Sequence, residues 1–287
     1  MKNYKIKSYC KINLFLRITK KLNSGYHSIA SLITFCEPHD IISISLIKKT
    51  QDRISFSGKF KKGISSKSNV VTKILTLLRN RKLLGRQKFE INIKKNIPHG
   101  SGLGGGSSNA ANLLNFFNSK MNLKLSKNKK KILARKIGFD VPISLEKRNA
   151  FLSGKKERIF RFDQKLKFNL LIVYPNLICS TSKVYRKNKR ISSLKSSAFL
   201  HIRDRKKMID FLKKEKNDLE TAAIKIHPRI KRIINDIKSQ KGCHFSRITG
   251  SGSACIGIFS NMNKAITAKK MIKLKYPKYW CVVSKTI

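Results

Sequence analysis

Apolar and polar positions alternate with a period of two over much of the first 60 residues. Ile12, Leu14 and Leu16 alternate with Asn13, Phe15 and Arg17, and Ile42, Ile44 and Leu46 alternate with serines. This is the pattern of strands with one buried face. Residues 69–79 switch to helical spacing, with Val70, Ile74, Leu77 and Leu78 on one face. Phe89, Ile91 and Ile93 return to alternation and predict a strand that ends before Pro98; beyond the glycines, Ala110, Leu113, Leu114 and Phe117 predict a helix. Ser126 is placed to cap a further helix carrying Ile132, Leu133 and Ile137, with Gly138 at its end. A strand is expected at 170–174, helices at 206–214 and 228–238, two strands about a glycine turn at 247–259, and a helix after Asn263. Strands and helices are mixed throughout, so the class is α+β or α/β, with a domain boundary near 150–165.

Composition sharpens this in one respect. The 287 residues carry 65 Lys and Arg against 14 Asp and Glu, a net charge of +51. Such an excess invites a nucleic-acid reading. A hydrophobic share of 40% nevertheless excludes a disordered basic tail. The charge is also uneven: residues 26–36, 97–119, 169–182 and 248–263 contain no Asp, Glu, Lys or Arg, and lysine-rich runs such as 127–131 and 186–190 fill the spaces between. These lysines are not joined to an aromatic RNA-binding motif or a zinc finger, so no specific nucleic-acid partner is expected. The six cysteines, at 10, 36, 179, 243, 255 and 281, form no CxxC pair. They read as free thiols in a reducing compartment. No apolar run is long enough for a bilayer, and the first 21 residues lack a cleavage signal, so a cytoplasmic protein with no membrane partner is expected.

The strongest local signal is the run PHGSGLGGGSSNAA at 98–111, between a predicted strand and a predicted helix. Glycines permit close backbone approach, and free N–H groups at a helix N-terminus form an anion site. The Ser107 and Ser108 hydroxyls add donors or a place for Mg²⁺. The loop has no lysine, which excludes a Walker A motif. Gly100, Gly102 and Gly105 match G-x-G-x-x-G, but no Asp or Glu lies between Glu90 and Asp140 to take a ribose, as a dinucleotide site requires. A flexible linker would not run directly into Ala-Ala-Asn-Leu-Leu.

Residues 98–111 resemble the ATP loop of the GHMP small-molecule kinases. Lys11-Ile-Asn-Leu-Phe-Leu with Gly25-Tyr-His27, Gly138-Phe-Asp-Val-Pro142 and Thr249-Gly-Ser-Gly-Ser-Ala-Cys255 extend the resemblance in order over almost the whole chain. They narrow it to members acting on 4-diphosphocytidyl-2-C-methyl-D-erythritol in the methylerythritol phosphate route to isoprenoids. Departures are Cys10, where a small residue is usual, and His99 and Ser101 within the loop.

The resemblance implies a two-domain α+β fold. Residues 1–157 would form the ATP-binding domain, of the ribosomal protein S5 domain 2-like type, and residues 158–287 a ferredoxin-like domain. It implies transfer of the ATP γ-phosphoryl to an alcohol, with Mg²⁺, in a monomer or weak homodimer. Asp140 would accept or orient the hydroxyl proton, with Lys11 beside the same hydroxyl and the γ-phosphate. ATP would lie against Asn69 and against Pro98, His99, Gly100, Ser101, Gly102, Leu103, Gly104, Gly105, Gly106, Ser107 and Ser108. The cytidine part would be held by Asn13, Tyr26, His27, Thr181 and Tyr185. Gly250 to Ser253 would form a second glycine loop near the phosphates, and Asn217-Asp218 would be structural. Read without the resemblance, Lys11 is one lysine among many, Asn69 is a helix N-cap, and Tyr26 and His27 follow a hairpin turn at Asn23-Ser-Gly25. A binding module for nucleic acid, or a GHMP kinase with another small alcohol as substrate, are the alternative readings.

Overall fold

A computed structural model describes residues 3–23, 27–65, 68–154, 158–162, 166–192 and 198–287. In chain order the elements are β1 (Asn3–Lys21), β2 (His27–Ile47), β3 (Arg53–Ser57), α1 (Val70–Arg79), β4 (Lys88–Lys94), α2 (Gly105–Lys120), α3 (Lys127–Ile137), α4 (Val141–Ser144), β5 (Ala150–Ser153), β6 (Arg158–Arg161) and β7 (Asn169–Tyr174). There follow α5 (Thr181–Lys187), a 3-10 turn at Ala198–His201, α6 (Arg205–Lys214), α7 (Glu220–Ile226), α8 (Arg229–Lys238), β8 (Cys243–Ile248), β9 (Cys255–Phe259), α9 (Met262–Lys275) and β10 (Trp280–Lys285). The chain divides into two compact units that are interleaved in sequence. Met1–Cys10, Pro38–His99 and Gly104–Lys147 form the first; Lys11–Glu37, Gly100–Leu103 and Arg148–Ile287 form the second.

In the first unit, β4 lies between β2 and β3. It runs antiparallel to β2 over Ile41–Ile47 and parallel to β3. The alternation that predicted β4 does what period two requires: Phe89, Ile91 and Ile93 are buried together with Ile42 and Ile44 of β2. Onto this face pack Val71, Ile74 and Leu78 of α1, and Leu113, Leu114 and Phe117 of α2. Both N-caps read from the sequence are formed. Asn69 Oδ1 accepts from the N–H groups of Val71 at 2.8 Å and Thr72 at 3.1 Å, and Thr72 returns the bond in a capping box. Ser126 caps α3 through Lys129.

In the second unit, β2 (Ser31–Ile33) pairs with β5 and β5 with β6, all antiparallel. A separate four-stranded antiparallel sheet has the order β10-β7-β9-β8. Numbered by position in the chain this is 4-1-3-2, with helices between the first and second strands and between the third and fourth, which is the ferredoxin-like pattern. The helix α8 buries Ile230, Ile233, Ile234 and Ile237. It comes so close that a Cβ on Gly257 of β9 would collide with Ile237. Phe15, Phe151, Phe199 and Phe211 form an aromatic cluster, with Phe199 and Phe211 stacked at 4.9 Å.

Two element boundaries differ from the reading above. The glycine turn's first strand begins at Cys243, four residues before Arg247, and α9 begins at Met262 because Asn261, not a later asparagine, supplies the cap to Lys264 at 3.0 Å. No helix among the described residues is long and apolar enough to cross a membrane.

Candidate active site

The glycine-rich loop has different supports in the two units. In the first, Pro98 is buried and α2 begins at Gly105 behind the N-cap Gly104, whose φ of 67° is left-handed. This helix start has no side-chain cap and no acid in its first turn, and such an end favours an anion. Ser107 is half-buried, and Ser108 is buried with its Oγ 3.3 Å from Ser144 Oγ. Directly beneath lies a polar cluster that sequence reasoning did not single out. Asp40 is fully buried and accepts from four donors: the Lys95 ammonium, the N–H groups of Asn96 (2.8 Å) and Ile97 (2.9 Å), and the Asn109 amide (2.9 Å). One carboxylate thus ties the end of β4 to the second turn of α2, and a Cβ on Gly105 would come within 3.5 Å of it. In the sequence, Lys95 carries nothing that separates it from the other lysines.

Asp140 also belongs to the first unit. It follows the end of α3 at Gly138, stands at the N-cap position of the short α4, with Pro142 in the first turn, and is half-buried. His99 donates its Nε2–H to the Lys62 carbonyl at 2.9 Å, and burial together with Lys95 lowers its pKa.

In the second unit, residues 100–103 thread against the other glycine turn. Lys11 N–H donates to the Leu103 carbonyl at 2.9 Å, Ala254 N–H to Ser101 at 3.0 Å, and Cys179 N–H to Gly100 at 3.0 Å. Gly102 has φ of 81°, and a Cβ there would collide with the Thr249 carbonyl. Only glycine fits that approach. Asn217 donates its amide to the carbonyls of Ile248 at 3.1 Å and Gly250 at 2.9 Å, so it bolts the turn in place. Its neighbour Asp218 accepts from Ile18 N–H at 2.9 Å and from Ser192 Oγ. Thr181 Oγ1 is 3.1 Å from Ser251 Oγ.

Lys11 is 4% exposed, although it is one of 65 cations. Among the described residues only Lys95 and Arg247 are likewise buried. Its Nζ donates to Asn13 Oδ1 at 2.8 Å. Asn13 is itself buried, and its Nδ2 donates to Ser31 Oγ at 2.8 Å. The His27 and Tyr185 rings, named separately from the sequence, lie together with centroids 5.3 Å apart. Burial, aided by Lys21, lowers the His27 pKa. Tyr26 lies outside the described residues. No cluster of three or more His, Cys, Asp or Glu side chains fit to hold a metal forms among the described residues.

The chain is similar to known proteins. The family description "GHMP kinases N terminal domain" matches residues 69–148, and "GHMP kinases C terminal" matches 197–278. A solved 4-(cytidine 5'-diphospho)-2C-methyl-D-erythritol kinase superposes with a TM-score of 0.77 at 24% identity, covering 98% of this chain and 99% of that one. A homoserine kinase from Cytophaga hutchinsonii does so with 0.75 at 15% identity, covering 100% and 95%. The fold is that of the GHMP kinases. A Pelagibacter ubique (strain HTCC1062) protein named 4-diphosphocytidyl-2-C-methyl-D-erythritol kinase is 40% identical over 287 residues, all of both chains. A Wolbachia pipientis wMel protein of the same name is 32% identical over 290 residues, covering 98% of this chain and 97% of that one. The chain therefore belongs to the 4-diphosphocytidyl-2-C-methyl-D-erythritol kinase family, an ATP-using kinase family.

Proposed function

We propose that the chain transfers the γ-phosphoryl of ATP to the 2-hydroxyl of 4-diphosphocytidyl-2-C-methyl-D-erythritol, a step on the methylerythritol phosphate route to isopentenyl diphosphate. The single observation that carries this reading in the molecule is the burial of Lys11. Its ammonium is held in place by Asn13 at 2.8 Å, and a preorganised cation of this kind stabilises the charge on a transferring phosphoryl group. Asp140 takes or orients the hydroxyl proton. The N-terminus of α2 and the Ser107 and Ser108 hydroxyls receive the phosphates, with residues 98–106 as the wall of the nucleotide site. Asn69, as the cap of α1, borders the adenine. His27 and Tyr185 present ring faces and edges of the kind that hold a cytosine, joined by Tyr26 and Thr181.

Mg²⁺ would be held together with the phosphates of the nucleotide. It needs near-octahedral oxygen ligands and usually retains phosphates and waters with only one or two protein groups. The Ser107 hydroxyl fits such a donor set without a carboxylate cluster. The ion neutralises charge on the phosphates when bound. The two family matches are separate along the chain, one ending at residue 148 and the other starting at 197, and the second compact unit also takes in residues 11–37 and 100–103, so the ATP-binding and second kinase domains are not divided by one cut at 157/158. A cytoplasmic monomer or weak homodimer, without a specific nucleic-acid partner, accords with this small-molecule role.

The test is ADP release by the purified protein with this substrate, with Asp140→Ala as control. General acid–base groups contribute about 10²–10⁴-fold, so the control should lose that much while its circular dichroism is unchanged. A folded wild-type protein that ignores this substrate but phosphorylates homoserine, mevalonate or galactose would overturn the reading.

A further inference from the structure

We propose that Ser31 is a positioning residue for Lys11. It acts by fixing which end of the Asn13 amide faces the ammonium. The inference rests on the reading of Lys11 given above. A carboxamide is nearly symmetric in shape, so its orientation must be set by its partners. Ser31 Oγ donates its single hydrogen to the Phe15 carbonyl at 2.6 Å. Towards Asn13 it can then only accept, so it takes a hydrogen from Nδ2 at 2.8 Å. The amide oxygen is thereby turned to Lys11, whose ammonium can only donate, at 2.8 Å. The backbone of residue 13 is pinned separately, by its N–H donating to Thr249 Oγ1 at 2.9 Å.

Every member of this chain is buried: Ser31 and Thr249 at 0%, Asn13 at 2% and Lys11 at 4% exposure. Bulk solvent does not reorganise around them, and each bond is made in a low-dielectric setting where losing a partner is costly. With Ser31 gone, the amide has no group that distinguishes its two ends on that side. Nδ2 is then buried without its acceptor; an amide that turns to find another carries its oxygen away from the ammonium, which shifts with it. Asn13 accordingly serves the phosphoryl-transfer step through Lys11, rather than the cytosine edge as the sequence resemblance implied. Ser31 was named by no sequence motif.

The experiment compares steady-state kinetics of Ser31→Ala, Ser31→Thr and Lys11→Met with wild type, all as full-length protein. Ser31→Ala should lower kcat by about 10- to 100-fold, with KM for ATP and for the cytidylyl substrate unchanged within about twofold. Ser31→Thr keeps the hydroxyl and should restore kcat to within about threefold of wild type. Ser31→Cys, nearly the volume of serine but a weak hydrogen-bonding group, gives the same reading if Ser31→Ala does not fold. Its kcat should fall while its KM values hold. Wild-type kcat in the Ala or Cys variant, with Lys11→Met inactive, overturns the role of Ser31 and leaves that of Lys11 standing. A rise in the KM for the cytidylyl substrate alone also overturns it, because it returns Asn13 to the base. Full turnover by Lys11→Met would instead remove the reading of Lys11 itself.

Discussion

Asn13 and Thr249 are 236 positions apart, yet the N–H of one donates to the hydroxyl of the other at 2.9 Å. The bond fastens β1 to the turn between β8 and β9, and Thr249 is fully buried. Thr249→Val keeps the shape and removes the acceptor, leaving a buried N–H unpaired. That should cost about 1–3 kcal/mol in a chemical denaturation experiment, whereas Thr249→Ser should cost less than half as much. Equal losses in the two variants would show that packing of the methyl group, not the hydrogen bond, matters.

The Asp40 cluster makes a second prediction. Asp40→Ala strands the Lys95 ammonium and two backbone N–H groups inside the first unit, and breaking a buried pair in this way costs about 3–5 kcal/mol. Asp40→Asn keeps an oxygen for Asn96 and Ile97 and should cost less. Because these contacts hold the two legs of the candidate ATP loop, the KM for ATP should rise in Asp40→Asn while the KM for the second substrate does not. Parallel changes in both would argue for a purely structural cluster.

Acidification should destabilise the protein well above the carboxylate range. Burial is the first cause of a lowered pKa at His27, His99 and His244, reinforced by Lys21, by Lys95, and by Lys213 and Arg205, respectively, with Asp210 opposing at His244. Each imidazole therefore takes its proton at lower pH when folded than when unfolded. The stability they contribute is complete above the ordinary histidine value of about 6.5 and is lost as pH falls through the folded values. Melting temperature should decline between pH 7.5 and 5.5, and a His99→Gln variant should show a shallower decline. A melting temperature that climbs on acidification would contradict the assignment.

The thiols should be inert in the native state. Burial pushes Cys179 up to about 11, Cys243 up to about 12 and Cys255 well above its ordinary value. Only the thiolate is nucleophilic. At pH 8, alkylation followed by peptide mass spectrometry should leave these three unmodified until denaturant is added. Labelling of any of them on the timescale of a free thiol would require that region to open.

The legible parts of the molecule were those where physics leaves a local signature. Period-two alternation gave β4 because Phe89, Ile91 and Ile93 must all face one core. Asn69 and Ser126 were readable as caps because short polar side chains satisfy helix N–H groups at fixed spacing. The charge-free segments marked the two glycine loops. What stayed hidden is non-local. Nothing about Lys95 or Ser31 in the sequence shows that one meets Asp40, 55 positions away, or that the other meets Asn13, 18 positions away. The short elements α4, β5, β6 and α7 hold too few residues for a period to show, so the short helix after Asp140 was not legible. Nor does the +51 charge say which cations leave the surface, as Lys11, Lys95 and Arg247 do.

The interleaving of the two units bears on how this protein is made and how it diversifies. Each unit is assembled from three separate stretches, and residues 100–103 belong to a different unit from the residues on either side. A ribosome that has released residues 1–147 has delivered the last of the first unit but not β5, the partner of Ser31–Ile33. Strand β2 must then wait for a segment more than a hundred residues downstream, and such long-range closures are slow. For the same reason no single cut yields either unit whole. A gene encoding this chain therefore cannot exchange one unit for another by a single crossover at a linker.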